Sequence, residues 1–152
     1  MLSGSGRRRF LAGASIGAAA AIIAAGAPAR AADPPSDADR AAIRDVIAGQ
    51  IEAFRRDDGA AAFGYAAPAI RRMFGGVDRF MEMVREGYRP VYRPREFAFR
   101  DIVVRDGLAL QKVHIVGPDG AAVTAFYTME RQPDGSWRIA GCSLGAPEER
   151  ST

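Results

Sequence analysis

The sequence has very few of the residues on which most catalytic and metal sites depend. Its 152 residues include one cysteine, Cys142, and one histidine, His114. A single cysteine excludes an internal disulfide, and this pair provides no cluster of ligands with the spacing of a zinc site. Gly75-Gly76 lacks the flanking strand and helix of a phosphate-binding loop, and Ser143 lacks the elbow motif of a nucleophile. The sequence therefore predicts no metal and no cofactor.

What the chain does have is a three-part amino-terminal segment. Residues 1–9 carry only positive charge, residues 10–28 are dominated by alanine and glycine, and Ala29 and Ala31 form a small-x-small cleavage site. This apolar run is weaker than the ~20 strongly apolar residues of a stable membrane span. We therefore expect cleavage after Ala31 and no stable span afterwards; an uncleaved amino-terminal anchor is the alternative.

The same segment contains a recognisable export motif. Arg7 and Arg8, followed by Phe10 and Leu11, resemble the twin-arginine signal. We expect residues 1–31 to be a signal peptide that engages the export machinery. The resemblance implies that the protein is exported in a folded state and is periplasmic or secreted.

The positive charge of the chain belongs to this leader. The whole chain has 21 basic and 18 acidic residues, a net charge of +3. Removal of residues 1–31 takes away four arginines and no acidic residue, which leaves 17 basic and 18 acidic residues and a net charge of −1. A domain so close to neutral gives no reason to expect nucleic-acid binding, and we predict no nucleic-acid partner.

The rest of the chain is long enough for one hydrophobic core. We assign residues 32–35 to a linker, 36–147 to a single α+β domain and 148–152 to a carboxy-terminal tail. Ser36 and Asp39 form a capping pair before apolar residues at helical spacing. Two further helices are predicted, a short one through Phe63 and Tyr65 and one from Asp78 to Glu86, with a helical turn that begins at Pro68 between them.

Residues 88–95 hold the tripeptide Tyr-Arg-Pro twice. The two prolines predict extended backbone, in which Tyr88 and Tyr92 share one side and the arginines the other. Two interpretations are open. The tyrosines form an aromatic wall of a pocket whose arginines receive an anionic ligand, or the segment is a rigid edge strand with its arginines in water.

Beyond this segment the pattern changes to that of a sheet. Four strand-like runs are predicted at 96–104, 108–116, 121–131 and 136–144. The connections are hairpin signals: Asp106-Gly107, Pro118-Asp119-Gly120 and Pro133-Asp134-Gly135. Helices followed by an antiparallel meander predict an α+β fold, with helices packed on a curved sheet of four or more strands.

The turns also predict the register of the strands. The predicted pairs are Phe99 with His114, Asp101 with Lys112, and Phe126 with Cys142. In this register Phe97, Phe99 and Phe126 share the face away from the helices, where they are candidate contacts of a homodimer. A single bulge would move part of a strand to the other face.

His114 is the obvious candidate for a general base. The register places it away from the helices, and the nearest acid, Asp101, is explained by an ion pair with Lys112, so we assign no catalytic residue. Other polar residues are candidates for an interior or aromatic-walled site that binds a small molecule, or are simply satisfied core groups. They are Gln50, Tyr88, Tyr92, Arg100, Gln111 and Tyr127.

The stretch from Ala41 to Asp101 resembles a bacterial family known as domain of unknown function 4864. The matching segments are 46–54, 66–70, 83–85 and 88–95, and the last is the most specific. The resemblance implies exported proteins without an assigned activity, and it supplies no catalytic residue.

A more distant resemblance concerns the fold. Three helices followed by an antiparallel sheet that ends in residues 135–139 resemble the nuclear transport factor 2-like (cystatin-like) cone. That superfamily includes isomerases, dehydratases, polyketide cyclases, and binding or dimerisation modules, so the fold does not choose among them.

We therefore predict a periplasmic, non-catalytic module that binds a small ligand or another protein. A small hydrolase, isomerase or dehydratase that uses His114 or an interior tyrosine and arginine is the alternative. A purely structural envelope protein is a third hypothesis. The position of His114 discriminates among them: a closed cavity beside Asp101 favours the enzyme, and the lack of any cavity favours the structural protein.

Overall fold

The computed structural model describes residues 35–149. Within these residues, five helices precede four strands in the order α1 Asp37–Arg55, α2 Gly59–Gly64, α3 Pro68–Phe74, α4 Val77–Gly87, α5 Arg89–Tyr92, β1 Glu96–Arg105, β2 Leu108–Val116, β3 Ala122–Arg131 and β4 Trp137–Gly145. The strands form one antiparallel sheet in sequence order. The predicted α+β architecture is thus confirmed. The predicted signal peptide, with its arginine motif and cleavage site, lies outside the described residues.

The first helix begins at its predicted cap. Ser36 Oγ accepts a hydrogen bond from the Asp39 N–H at 3.0 Å and so satisfies one of the free donors of the first turn. Residues at helical spacing then bury one face of α1, and each such side chain contributes about 1.5–3 kcal/mol. The large apolar ones are Ile43, Ile47, Ile51 and Phe54. They belong to the same buried cluster as Val113, Ile115, Tyr127 and Met129 of the sheet.

The Tyr-Arg-Pro segment is not extended as predicted. Its first half is the short helix α5, in which the Tyr92 N–H donates to Tyr88 O at 2.9 Å. Pro90 is compatible with a helix here because it occupies the first turn, where no N–H donor is needed. The helix ends before Pro94, because the proline ring sterically disfavours helical backbone at the preceding residue, Arg93.

The first hairpin forms as predicted. Arg105 pairs with Leu108, and Asp106 and Gly107 have φ angles of 51° and 75°. Positive φ at both central positions is the geometry of the two-residue hairpin turn and suits the Asp-Gly sequence. In the next pair of strands His114 lies opposite Thr124, and Lys112 lies opposite Phe126.

A bulge in β1 alters the predicted register beyond the first turn. The pairing shifts by one residue between Phe99 and Ile102, so that Phe99 lies opposite Val113. The predicted pair of Phe99 with His114 is therefore wrong. Phe97 and Phe99 lie on the helix-covered face, where guanidinium groups of α1 lie over their rings. A bulge exchanges the two faces of the strand beyond it, which is the physical reason for the correction.

A second bulge, at Ala140 in β4, has the same effect on the last strand. Near the turn Glu130 pairs with Arg138 as the loop length predicts, but further along Cys142 lies opposite Tyr127 instead of Phe126. This shift brings Cys142 to the helix-covered face.

The free edge of β4 is covered by the chain between α2 and α3. Ile139 N–H donates to Tyr65 O at 2.9 Å, and Ala67 N–H donates to Ile139 O at 2.8 Å. These bonds satisfy part of an edge that would otherwise present unpaired donors and acceptors. None of the helices formed by residues 35–149 is long and apolar enough to span a membrane.

Candidate functional site

A cavity of about 320 Å³ lies between the helices and the covered face of β3 and β4. Its walls are mostly apolar, and the large apolar side chains that line it include Phe54, Ile70, Met73, Phe74, Phe80 and Met83. The volume lies at the lower end of the range for small-molecule sites, about 300–1,000 Å³. The cavity is therefore suited to a small, mainly apolar molecule.

Four polar side chains line this cavity: Gln50, Tyr88, Tyr127 and Cys142. Gln50 is buried on α1, and its Nε2 donates to Ala62 O at 3.1 Å. The Tyr88 hydroxyl donates to Cys142 O at 2.9 Å. The Tyr88 hydroxyl and one N–H of the Gln50 amide thus already have partners in the surrounding backbone.

Tyr127 differs from these two residues. It is fully buried on β3, directly opposite Cys142. Within residues 35–149 its hydroxyl makes no hydrogen bond of normal geometry, although the Cys142 thiol, a weak hydrogen-bonding group, is a polar neighbour. A buried hydroxyl without a partner costs about 1–3 kcal/mol. Tyr127 is therefore the polar group of the cavity whose placement the fold alone does not explain.

Both groups at this inner end of the cavity are uncharged at neutral pH. Burial raises the pKa of Tyr127 well above its usual value. Cys142 is half-buried as a residue, yet burial of its thiol raises the pKa to about 12. Since the thiolate is the reactive form of cysteine, this thiol is a poor nucleophile. The inner end can form hydrogen bonds but is not arranged for nucleophilic chemistry.

Helix α3 forms the outer wall of the cavity. None of its residues is buried, and Met73 lines the cavity while 66% exposed. The helix begins at Pro68 and ends at Gly75, whose φ of 72° favours glycine. The cavity thus has an apolar end near solvent at Met73 and a polar end at Tyr127.

Three of the six predicted site residues, Gln50, Tyr88 and Tyr127, are brought together at this cavity. Tyr92 is not among its lining residues. The Tyr92 hydroxyl donates to the Asp57 carboxylate, and the Arg93 guanidinium lies 4.2 Å from its ring centroid. Arg93 Nη2 also donates to Asp57 Oδ2 at 2.8 Å. Tyr92 therefore ties α5 to the turn after α1, and its hydrogen bond lowers the pKa of Asp57.

Arg100 and Gln111 do not line the cavity, and for Arg100 the cause is the bulge in β1. Arg100 is exposed and lines a pocket with His114 on the outer face, so its prediction as an interior residue is wrong. Gln111 is fully buried, and its Nε2 donates to Arg100 O and Lys112 O, both at 2.8 Å. Its Oε1 has no partner among the described residues. The Gln111 amide supplies donors where the bulge interrupts the ladder, which the sequence pattern could not reveal.

His114 lies on the outer face of the sheet, as predicted. It lines a pocket of about 450 Å³ together with Arg100, Thr124, Glu148 and Glu149. Lys112 forms an ion pair with Glu148 at 2.5 Å instead of the predicted pair with Asp101. No group of three or more histidine, cysteine or acidic side chains in residues 35–149 is placed to hold a metal ion.

Sequence reasoning did not assign Cys142 or the apolar residues of α3 and α4 to the site. Cys142 reaches the cavity only because of the bulge at Ala140. Ile70, Met73 and Phe74 did carry a signal in the sequence, because their spacing places them on one face of a helix. In the structure that face lines the cavity.

Comparison with known proteins gives two matches. The family described as Domain of unknown function (DUF4864) matches residues 36–152. A solved structure of an NTF-2 like protein of unknown function from Burkholderia xenovorans LB400 is similar at 17% identity and a TM-score of 0.43, over 72% of this chain and 88% of that chain. No curated protein matches the chain.

Proposed function

The chain belongs to the family Domain of unknown function (DUF4864), and for this member we propose a role as an exported, non-catalytic protein that binds a small, mainly apolar molecule. The binding site is the cavity between α3, α4 and the covered face of β3 and β4. Export rests on the amino-terminal motif, and ligand binding rests on the cavity.

One observation carries the ligand-binding proposal. The Tyr127 hydroxyl is fully buried beside an apolar cavity and has no hydrogen-bond partner of normal geometry within residues 35–149. Buried polar groups in native proteins are almost always paired with protein, water or ligand. A ligand that pairs with this hydroxyl would remove its cost and explain why a tyrosine, not a phenylalanine, stands there.

The size of the cavity limits the ligand. A volume of about 320 Å³ holds roughly ten non-hydrogen atoms if each occupies the ~30 Å³ of a water molecule in the liquid. This corresponds to a substituted single ring or a short branched chain. Lipids with long acyl chains would extend beyond the cavity past Met73.

The chemistry of the cavity supports binding over catalysis. Its polar lining residues, Gln50, Tyr88, Tyr127 and Cys142, include no group whose ordinary pKa lies near 7. General acid–base catalysis works best with such a group. His114 occupies the other face of the sheet, in the outer pocket.

The binding proposal is tested by titration with isopropylbenzene, followed by amide chemical shifts. We expect saturable shifts confined to residues around the cavity. Ile70→Trp should fill the apolar end and abolish them, whereas Leu110→Trp, which adds the same bulk on the outer face, should leave them unchanged. Shifts that spread over both faces, or that survive Ile70→Trp, would contradict a site in this cavity.

The export proposal is tested by cell fractionation. The double variant Arg7→Lys and Arg8→Lys keeps the charge of the leader but removes the arginine pair at the start of the motif. We expect the protein to accumulate in the cytoplasm with residues 1–31 uncleaved. Unchanged periplasmic protein in the variant would rule out this signal as the route of export.

A further inference from the structure

We infer that the ligand of this cavity is electrically neutral and carries a hydrogen-bond acceptor that meets the Tyr127 hydroxyl, with its apolar part directed toward Met73. This inference rests on the proposed binding function and specifies the chemical class of the ligand. A compact ketone, ester or amide with a hydrocarbon body fits the description.

Neutrality follows from the residues that line the cavity. They include no aspartate, glutamate, lysine, arginine or histidine. Transfer of an unpaired charge from water into an apolar site is very unfavourable, because nothing there replaces its hydration. A carboxylate, phosphate or ammonium group at the inner end would lack a counter-charge. The raised pKa of Tyr127 and of Cys142 keeps both groups uncharged at neutral pH and agrees with this conclusion.

The need for an acceptor follows from the hydrogen bonds already made. Gln50 Nε2 donates to Ala62 O at 3.1 Å, and the Tyr88 hydroxyl donates to Cys142 O at 2.9 Å. Gln50 Nε2 keeps a second N–H, but among the described residues that line the cavity the Tyr127 hydroxyl is the strong donor group that makes no hydrogen bond of normal geometry. The Cys142 thiol is a weak hydrogen-bonding group and does not substitute for a carbonyl oxygen.

The orientation follows from the distribution of polar and apolar walls. Tyr127 is fully buried, while Met73 is 66% exposed. Ile70 and Phe74 belong to the same helix as Met73, and both are half-buried. A ligand that places its acceptor at Tyr127 buries its hydrocarbon part against this wall, so both halves of the molecule find matching surroundings.

The experiment uses three probes of equal size and similar shape: acetophenone, which carries an acceptor; isopropylbenzene, which does not; and benzoate, which is charged. Their dissociation constants for the mature protein are measured at pH 7 by amide chemical shifts. We expect acetophenone to bind about tenfold more tightly than isopropylbenzene, the effect of one net hydrogen bond. Benzoate should bind more weakly than either neutral probe.

Two variants locate the acceptor contact. Tyr127→Phe should remove the preference for acetophenone over isopropylbenzene, while Tyr92→Phe, whose hydroxyl lies outside the cavity and is bonded to Asp57, should retain it. Equal binding of the two neutral probes to the unmodified protein, tightest binding of benzoate, or an unchanged preference in Tyr127→Phe would overturn the inference and leave the binding function standing. If neither neutral probe binds at the cavity, the proposed function fails together with it.

Discussion

The two faces of the sheet are built from the same four strands but differ in what lies against them. Along β2, Ala109, Val113 and Ile115 are buried under the helices. The alternate residues of that strand, among them Lys112 and His114, face the outer surface together with Glu148 of the tail. The residues most often associated with chemistry thus lie on the outer face, and the apolar cavity lies on the other. Titratable side chains alone are a poor guide to the site in this molecule.

The two bulges change which side chains lie on each face of the sheet. One brings Phe97 and Phe99 under α1, and the other brings Cys142 to the cavity. The cavity lies beside the bulge in β4, while β1 supplies none of its lining residues. On the outer face, the bulge in β1 leaves Arg100 exposed among other charged side chains.

The largest expected effect tests the contrast between the faces directly. Ile115→Ala, at a fully buried position of β2, should lower the free energy of unfolding by about 2–5 kcal/mol because it leaves a cavity in the core. Leu110→Ala, on the same strand but 38% exposed on the outer face, should lower it by less than about 1 kcal/mol. Urea denaturation measures both values. Similar losses in the two variants would mean that the outer face is also covered.

The next effect concerns polar groups on the covered face. Tyr127→Phe should raise the free energy of unfolding by about 1 kcal/mol, since it removes a buried hydroxyl without a partner. Tyr88→Phe should lower it by about 1 kcal/mol, because Cys142 O loses its hydrogen bond. Urea denaturation without added ligand measures the difference. A loss of stability in Tyr127→Phe would show that its hydroxyl is satisfied and would weaken the binding proposal.

Much of this fold could be predicted from the sequence. Ser36, the apolar spacing of α1 and the Asp-Gly and Pro-Asp-Gly turns act locally, and each formed the predicted element. Beyond a bulge, the side chains of a strand change faces, and the local sequence pattern does not show where a bulge occurs. For that reason Phe99, Arg100 and Cys142 were placed wrongly, while His114 and Tyr127, on strands β2 and β3 without bulges in their mutual pairing, were placed correctly.

The cavity residues could be predicted where they lie in regular helices and strands, and not elsewhere. Gln50 and Tyr127 follow from regular periodicity and do reach the cavity. Tyr92 and Gln111 instead satisfy local backbone and side-chain partners, in the α5 contact with Asp57 and in the β1 bulge. A polar residue on an apolar face can line a binding site or satisfy a neighbouring polar group of the protein. Only its hydrogen-bond partners in the folded structure show which of the two it does.

A third prediction concerns the outer face. The homodimer remains a prediction: of its predicted contacts Phe126 stays on the outer face, opposite Lys112, and the exposed residues Val103, Leu108 and Leu110 lie there too. One half-buried phenylalanine and three aliphatic side chains cover only part of the ~800 Å² per partner of a stable interface. We therefore expect a weak, concentration-dependent dimer in sedimentation velocity, which Leu110→Glu dissociates and Met73→Glu does not. A protein that stays monomeric at the highest concentration would rule out this interface.

The smallest expected effect is a change in the pH dependence of stability, which compares the contacts of Asp39 with the Lys112–Glu148 pair of the outer face. Asp39, near the start of α1, accepts hydrogen bonds from Arg131 and from Trp137 Nε1, and so links the helix layer to β3 and β4. Although partial burial opposes the shift, the hydrogen bonds of Ser36 and Trp137 and the charge of Arg131 lower the pKa of Asp39 below its ordinary 3.8.

A lowered pKa means that the folded protein favours the carboxylate more than the unfolded chain does. Its contribution to stability is therefore present above pH 3.8 and is lost as the pH falls through the lower, folded value. We expect Asp39→Asn to flatten part of the fall in melting temperature between about pH 5 and pH 2, measured by circular dichroism. Glu148→Gln, which breaks the exposed pair with Lys112 on the outer face, should leave the curve almost unchanged, because exposed ion pairs are largely screened by water. An equal change of the melting curve in both variants would mean that the Lys112–Glu148 pair stabilises the fold as much as the contacts of Asp39 do.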